Sequence, residues 1–253
     1  MVIANITETI RNAGAFSYAT ATPSQSNMAY WLALVAIVLS IPQPIWNIFG
    51  RFVTVFHELG HALAGSLFGR RLKSITISAD MSGETHTRGK PGFGLIWTRW
   101  WGYPFPILYG LWFVYASYTK LANIALAVTT LLLIFMLLFV RNIHGASIII
   151  FLLALDIASF LLPASLYRSY ICLALGIALI IGSWRALINV TRVHYKFDKT
   201  SSDAYHLTQD TWLPGWFWFL TFYFTFIVLS FTAINIITNG WIIATIQHFL
   251  VSY

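Results

Sequence analysis

Long apolar runs, separated by short polar stretches, dominate this chain. A helix needs about 20 apolar residues to cross the hydrocarbon core of a bilayer. Runs of about this length cover residues 30–49, 52–68, 98–118, 121–140, 143–162, 170–189 and 216–237. Only 9% of the 253 residues are charged, whereas a soluble domain carries about 25%. The sequence therefore predicts an all-α polytopic membrane protein with about seven (six to eight) transmembrane helices.

Two polar stretches interrupt the apolar runs. In the first, residues 72–87, Ile75 and Ile77 alternate with polar residues, which predicts a small β-hairpin directly after the second apolar run. The second, residues 190–214, is predicted to be a loop. We divide the chain into a polar N-terminal segment, 1–28, and a single membrane-embedded domain, 29–253.

The net charge of +7 is distributed unevenly between the two predicted sides of the membrane. Most arginines and lysines fall on the side that holds the hairpin and the 190–214 loop, which the positive-inside rule assigns to the cytoplasm. With seven spans the N-terminus lies there too. No basic stripe interleaved with aromatic residues lies outside the apolar runs, which argues against nucleic-acid binding. The lone Cys172 excludes an intrachain disulfide.

The second apolar run contains the motif His57-Glu58-Leu59-Gly60-His61. Residues four apart lie on one face of a helix, about 5–6 Å apart at Cβ, so His57 and His61 can bind one metal ion. Zinc accepts histidine nitrogens, and Glu58 on the edge of that face can act as general base toward a zinc-activated water. Ionisable residues inside a membrane are costly and are functional by default. The motif therefore predicts one zinc ion per chain and a hydrolase.

Zinc needs a third protein ligand, and the sequence offers several. A third histidine is excluded because Leu67 stands at its position in the extended protease motif. A glutamate from a later helix is disfavoured because Glu84, which lies in the hairpin, is the only Glu after Glu58. Asp156 lies within an apolar run, and Asp203 lies where a new helix can start. Spacing alone does not separate these two aspartates.

These motifs resemble the site-2 proteases, the intramembrane zinc metallopeptidases, and within them the bacterial B-like branch. The similarity covers about residues 53–229 and includes the His57–His61 motif, hairpin segments 73–77 and 82–87, Arg141-Asn142, Ser202-Asp203-Ala204 and Leu213-Pro214-Gly215-Trp216. The Asn-Pro-Asp-Gly and Leu-Asp-Gly motifs that typically supply the third ligand in this family are absent.

The resemblance implies cleavage of peptide bonds in transmembrane protein substrates, with the chain as a multi-pass protein of the bacterial cell membrane. It implies that His57 and His61 bind zinc, that Glu58 is the general base and that Asp203 is the third ligand, with Asp156 as the alternative. Asn142, His86 and His206 are candidates for oxyanion stabilisation or substrate binding.

Two other classes of function fit parts of the sequence. A catalytically inactive scaffold that binds or regulates membrane partners is favoured by the missing Asp-Gly motif. A proton- or metal-coupled transporter would use His57, His61 and Asp156 as an ion path. Intact His57, Glu58 and His61 argue against the scaffold, and the lack of inverted repeats argues against the transporter.

Overall fold

The computed structural model describes residues 23–162, 165–196 and 202–238. The elements are α1 (Pro23–Ser40), α2 (Gln43–Leu67), β1 (Arg71–Ile77), β2 (Gly83–Arg88), α3 (Phe93–Trp100), α4 (Pro104–Tyr118), α5 (Ala122–Phe139), α6 (Ile143–Phe160), α7 (Ser165–Lys196), α8 (Asp203–Asp210) and α9 (Gly215–Ile237). Most of the predicted N-terminal segment, part of the predicted 190–214 loop and the apolar tail after residue 238 lie outside the described residues.

Four helices in the described part of the chain are long and apolar enough to cross a membrane. These are α5, α6, most of α7 and α9. A fifth candidate is the pair α1 and α2, which meet at a bend of 115°. The chain is therefore a mostly helical protein with several candidate spans, and the predicted count of seven is not confirmed.

The predicted third span, residues 98–118, is divided into the short helices α3 and α4. Gly102 and Pro104 lie at the division, and Pro104 opens α4. A proline fixes φ and lacks an N–H, so it fits the first turn of a helix and not the interior. At 15 residues, α4 is shorter than the roughly 20 residues of a full span.

The break between the first two apolar runs also differs from the prediction. We expected it near Arg51, but α2 runs through this position from Gln43, and the break lies at Ile41 and Pro42. Pro42 precedes α2 as its N-cap. Because a residue before proline is disfavoured in the helical conformation, the first helix ends at Ser40.

The predicted hairpin is confirmed, and its strands pair antiparallel with an irregularity between Leu72 and Ser74. Ile75 and Ile77 are fully buried, as their alternation with polar residues predicted. The free edge of β1 is held by the junction between α5 and α6. There, Ile75 forms a parallel bridge with Val140, and the Arg141 N–H donates to the Ile75 carbonyl at 3.0 Å.

Helix α4 lies at the centre of the helical bundle, where it packs against α2, α7 and α9. Its Gly110 meets Gly176 of α7 so closely that a Cβ on Gly110 would lie 2.9 Å from the Gly176 carbonyl oxygen. Small residues allow such close crossings of membrane helices. The crossing fixes α4, which begins just after the Gly102 turn, against α7.

Candidate metal centre

Helix α2 places the two motif histidines on one face, as their spacing predicted. The His57 and His61 rings lie 4.7 Å apart at their centroids, nearly perpendicular to each other. Their Nε2 atoms lie 3.1 Å apart. Both nitrogens therefore point at a common position on the side of α2 that faces α3 and α8.

Asp203, the first residue of α8, completes the cluster. Its Oδ2 atom lies 3.1 Å from His57 Nε2 and 3.4 Å from His61 Nε2. Ser202 caps the helix, because its Oγ accepts the Tyr205 N–H at 3.1 Å. Burial raises the pKa of Asp203, but the neighbouring His61 and His57 outweigh burial and hold that pKa well below its usual range. The carboxylate is therefore ionised.

These three ligand atoms fit a single zinc ion. Zinc–ligand bonds of about 2.0–2.2 Å in a tetrahedral arrangement place the ligand atoms about 3.4 Å apart. The observed separations of 3.1 to 3.4 Å match this value. Two imidazole nitrogens and one carboxylate oxygen are also ligands that zinc prefers, and such a set leaves a fourth position for water.

Asp156, the alternative third ligand, lies outside this cluster. It is buried on α6, and its Oδ2 accepts the Thr130 hydroxyl of α5 at 2.5 Å. This hydrogen bond joins α5 and α6 without a metal, while Asp156 Oδ1 is buried and has no hydrogen-bond partner in the part of the chain that the structure describes. Among the described residues, the structure therefore brings Asp203 and not Asp156 to the two histidines.

The buried Glu58 is held by the hairpin. The Thr85 hydroxyl of β2 donates to Glu58 Oε2 at 2.6 Å. Gly83, the first residue of β2, lies so close that a Cβ there would stand 2.6 Å from the Glu58 carboxyl carbon. The hairpin thus fixes the orientation of this carboxylate. The sequence motif predicted Glu58 but gave no sign of Thr85, because a hydroxyl in a strand has no periodic signature.

The turn between α3 and α4 covers the two histidines. The Thr98 carbonyl oxygen lies 2.7 Å from His61 Nδ1, so that Nδ1 carries the proton and Nε2 is free to bind a metal. A Cβ on Gly102 would clash with both His57 and His61. Tyr103 packs edge-on against His57 with ring centroids 4.7 Å apart. Sequence analysis missed the roles of Thr98 and Tyr103.

Helix α3 also fixes the position of α8. Arg99 forms an ion pair with Asp210 at 2.7 Å, and its Nη1 donates to the His206 carbonyl oxygen at 2.7 Å. The same short helix therefore orients His61 through Thr98 and restrains the helix that carries Asp203.

The structure gives the three remaining candidates different surroundings. The Asn142 side chain binds both the N–H and the carbonyl of Ile77, at 3.2 and 2.7 Å, and so holds the hairpin. His86 follows Thr85 in β2, so it points to the opposite face of the strand and contacts Glu84. The His206 side chain is exposed on α8. Their roles toward substrate stay predictions.

A family model described as Peptidase M50B-like matches residues 30–236. The chain belongs to this family. Peptidase M50B-like proteins are site-2 proteases, so the resemblance seen in the motifs is confirmed, and the 53–229 segment that carries it lies within the match. Comparison with curated proteins and with solved structures gave no significant match.

Membership in this peptidase family agrees with the several candidate membrane spans, which indicate a multi-pass membrane protein. It also agrees with the His57, His61 and Asp203 cluster, because site-2 proteases are zinc metallopeptidases.

Proposed function

We propose that the chain is an intramembrane zinc metalloprotease that hydrolyses peptide bonds of membrane-embedded protein substrates. The observation that carries this proposal is the convergence of His57, His61 and Asp203 beside the buried Glu58, in a chain of the M50B-like family. His57, His61 and Asp203 would hold one zinc ion. When bound, zinc lowers the pKa of a coordinated water to about 7 and polarises the scissile carbonyl.

Glu58 is the proposed general base. It takes a proton from the attacking water and delivers that proton to the leaving amine nitrogen. The hydrogen bond from Thr85 to Oε2 and the close approach of Gly83 hold the carboxylate against the hairpin. His61 is kept in the metal-binding tautomer by the Thr98 carbonyl.

We further propose a location in the bacterial cell membrane, with the hairpin on the cytoplasmic side. The support is the charge distribution, since Arg70, Arg71, Lys73, Arg88 and Lys90 all lie at the base of the hairpin. The predicted seven spans count α1 and α2 separately and include the α3–α4 segment, so a seven-span arrangement would require each of these three to cross the bilayer beside α5, α6, α7 and α9. Such a protein meets its substrates, themselves transmembrane proteins, within the bilayer.

Zinc content of the purified protein tests the metal site directly. We expect elemental mass spectrometry to find about one zinc ion per chain. His57→Ala should lose that zinc, because the two remaining ligands do not form a stable site. A folded parent that binds no zinc even after zinc is supplied would contradict the protease mechanism and favour the scaffold function. Circular dichroism of both proteins would check that the variant keeps its helices.

Gly102→Ala is expected to impair the metal site without changing a ligand. The added Cβ would clash with both motif histidines, so the turn or the rings must shift, and an outer-shell change of this kind costs about 10- to 100-fold in metal affinity. Competition with a zinc-binding dye measures this loss. Gly94→Ala is a control within the same segment, because its Cβ would meet Phe68 at 3.4 Å, an ordinary contact. Equal zinc affinity of the two variants would show that the turn does not constrain the histidines.

A further inference from the structure

A basic cavity, separate from the metal centre, lies where α2 meets the base of the hairpin. It has a volume of about 680 Å³. Five basic residues line it, namely Arg70, Arg71, Lys73, Arg88 and Lys90, and no acidic residue does. None of these five forms an ion pair with a carboxylate in the described part of the chain. The cavity thus concentrates positive charge that the protein itself leaves unbalanced.

The pairing of the two strands makes this charge costly. Arg71 and Arg88 are direct cross-strand partners, and like charges at opposed positions of an antiparallel pair are destabilising. A bound anion between the two guanidinium groups would remove this repulsion. Arginine is also suited to phosphate, because its planar fork donates two parallel N–H bonds to two oxygens.

The cavity is also preformed. The buried Arg70 donates from Nε to the Thr87 hydroxyl and from Nη1 to the Lys90 carbonyl, both at 2.9 Å. These bonds tie the end of α2 to the segment after β2. Arg70 therefore supplies a fixed positive charge, while the more exposed Arg71 and Arg88 are free to contact a ligand.

The surroundings indicate a ligand that comes from the membrane. With a helix rise of about 1.5 Å per residue, Leu67 lies about 9 Å beyond His61 along α2, toward the polar end of the helix. Phe68 lines the cavity and is 44% exposed, and Phe93, which is 63% exposed, contacts Phe68 with ring centroids 5.6 Å apart. Phe93 stacks on Trp97, with ring centroids 5.7 Å apart. Exposed apolar and aromatic side chains next to a ring of cations match the headgroup region of a bilayer.

We propose that this cavity binds the phosphate of an anionic phospholipid headgroup, with Arg71 and Arg88 as its main ligands and the Phe68 and Phe93 side chains against the acyl chains. Bound lipid fixes the hairpin relative to the bilayer surface. Because β2 also carries Thr85, which contacts Glu58, the lipid anchors the same element that orients the general base. The proposal does not depend on the metal or on peptidase activity.

Native mass spectrometry of the detergent-solubilised chain tests this site, with phosphatidylglycerol and phosphatidylcholine as probes. We expect the parent to retain one phosphatidylglycerol in preference to phosphatidylcholine. Arg71→Gln combined with Arg88→Gln should weaken this binding about 30-fold, because each basic residue near a membrane surface contributes a factor of about five. Arg141→Gln combined with Arg192→Gln removes the same charge outside the cavity and should retain the lipid.

Equal loss in both double variants would overturn the proposal, since it would show a response to net charge alone. Equal retention in both would overturn it as well.

Competition with inorganic phosphate distinguishes the sources of the anion. If phosphate at low millimolar concentration displaces the lipid completely, the cavity binds a soluble anion and the lipid assignment is wrong. The midpoint temperature of thermal unfolding, measured for the parent and both double variants, gives an independent check on folding. Because Arg71→Gln combined with Arg88→Gln removes the repulsion between these two residues, this variant should unfold at a higher temperature than the parent when only phosphatidylcholine is present.

Discussion

Glu58→Gln is expected to abolish peptide-bond hydrolysis while zinc remains bound. Glutamine has nearly the shape of glutamate and still accepts the hydrogen bond that Thr85 donates to Glu58, but it cannot take a proton from water. Loss of a general base costs about 10²- to 10⁴-fold in rate. The measurement is the appearance of new peptide termini, by mass spectrometry, in membranes of cells that express the parent or the variant. Zinc per chain is measured on the same two proteins.

Glu84→Gln is the matched control for this prediction. It makes the same chemical change on β2, at an exposed residue whose carboxylate contacts only His86 among the described ion pairs. We expect its product termini to equal those of the parent. If the parent and Glu58→Gln yielded identical termini while both bound zinc, the enzyme proposal would fail and a binding role would take its place.

Asp203→Asn is expected to remove zinc, whereas Asp156→Asn is expected to retain it. Asp203 Oδ2 lies within 3.4 Å of both histidine nitrogens, while Asp156 bonds to Thr130. Removal of a direct ligand should lower zinc affinity by more than the roughly 10- to 100-fold typical of outer-shell changes. Zinc per chain and competition with a zinc-binding dye measure this difference. Peptide-bond hydrolysis that persists in Asp156→Asn would also argue against the transporter function.

Ser202→Ala separates loss of a ligand from displacement of α8. Ser202 caps this helix through Tyr205, and loss of such a cap costs about 1 kcal/mol of helix stability, but the Asp203 carboxylate remains. We expect the Ser202 variant to keep most of its zinc. Complete zinc loss in Ser202→Ala, equal to that in Asp203→Asn, would mean that the position of α8 matters and that Asp203 need not be a ligand.

The sequence predicted those parts of the protein that repeat along the chain or lie close together in it. The apolar runs predicted most of the helices, and alternation of apolar with polar residues predicted that Ile75 and Ile77 are buried. The four-residue spacing predicted that His57 and His61 lie on one face of a helix. Asp203 came from a resemblance and not from spacing, since residue patterns alone left Asp156 equally eligible. Only the fold, which brings α8 against α2 and α3, separates these two aspartates.

Contacts between distant segments were not predictable. Thr85 reaches Glu58 and the Thr98 carbonyl reaches His61 across turns whose geometry no local pattern encodes. Proline positions were visible, and an interruption of the third run near Pro104 was expected, but the position of the first break was misjudged. Pro42 moved the first break, and Pro104 with Gly102 divided an apolar run that hydropathy alone reads as one span. That division is what brings a turn over the histidines.

The distribution of the ligands along the chain sets the time at which the centre can form during biosynthesis. His57 and His61 leave the ribosome with α2, but Asp203 follows only after α5, α6 and α7 have been made. Closing so long a connection requires those intervening helices to be inserted and packed first. On the proposed function, metal loading would therefore follow membrane insertion, and a nascent chain arrested before α8 would lack the Asp203 ligand.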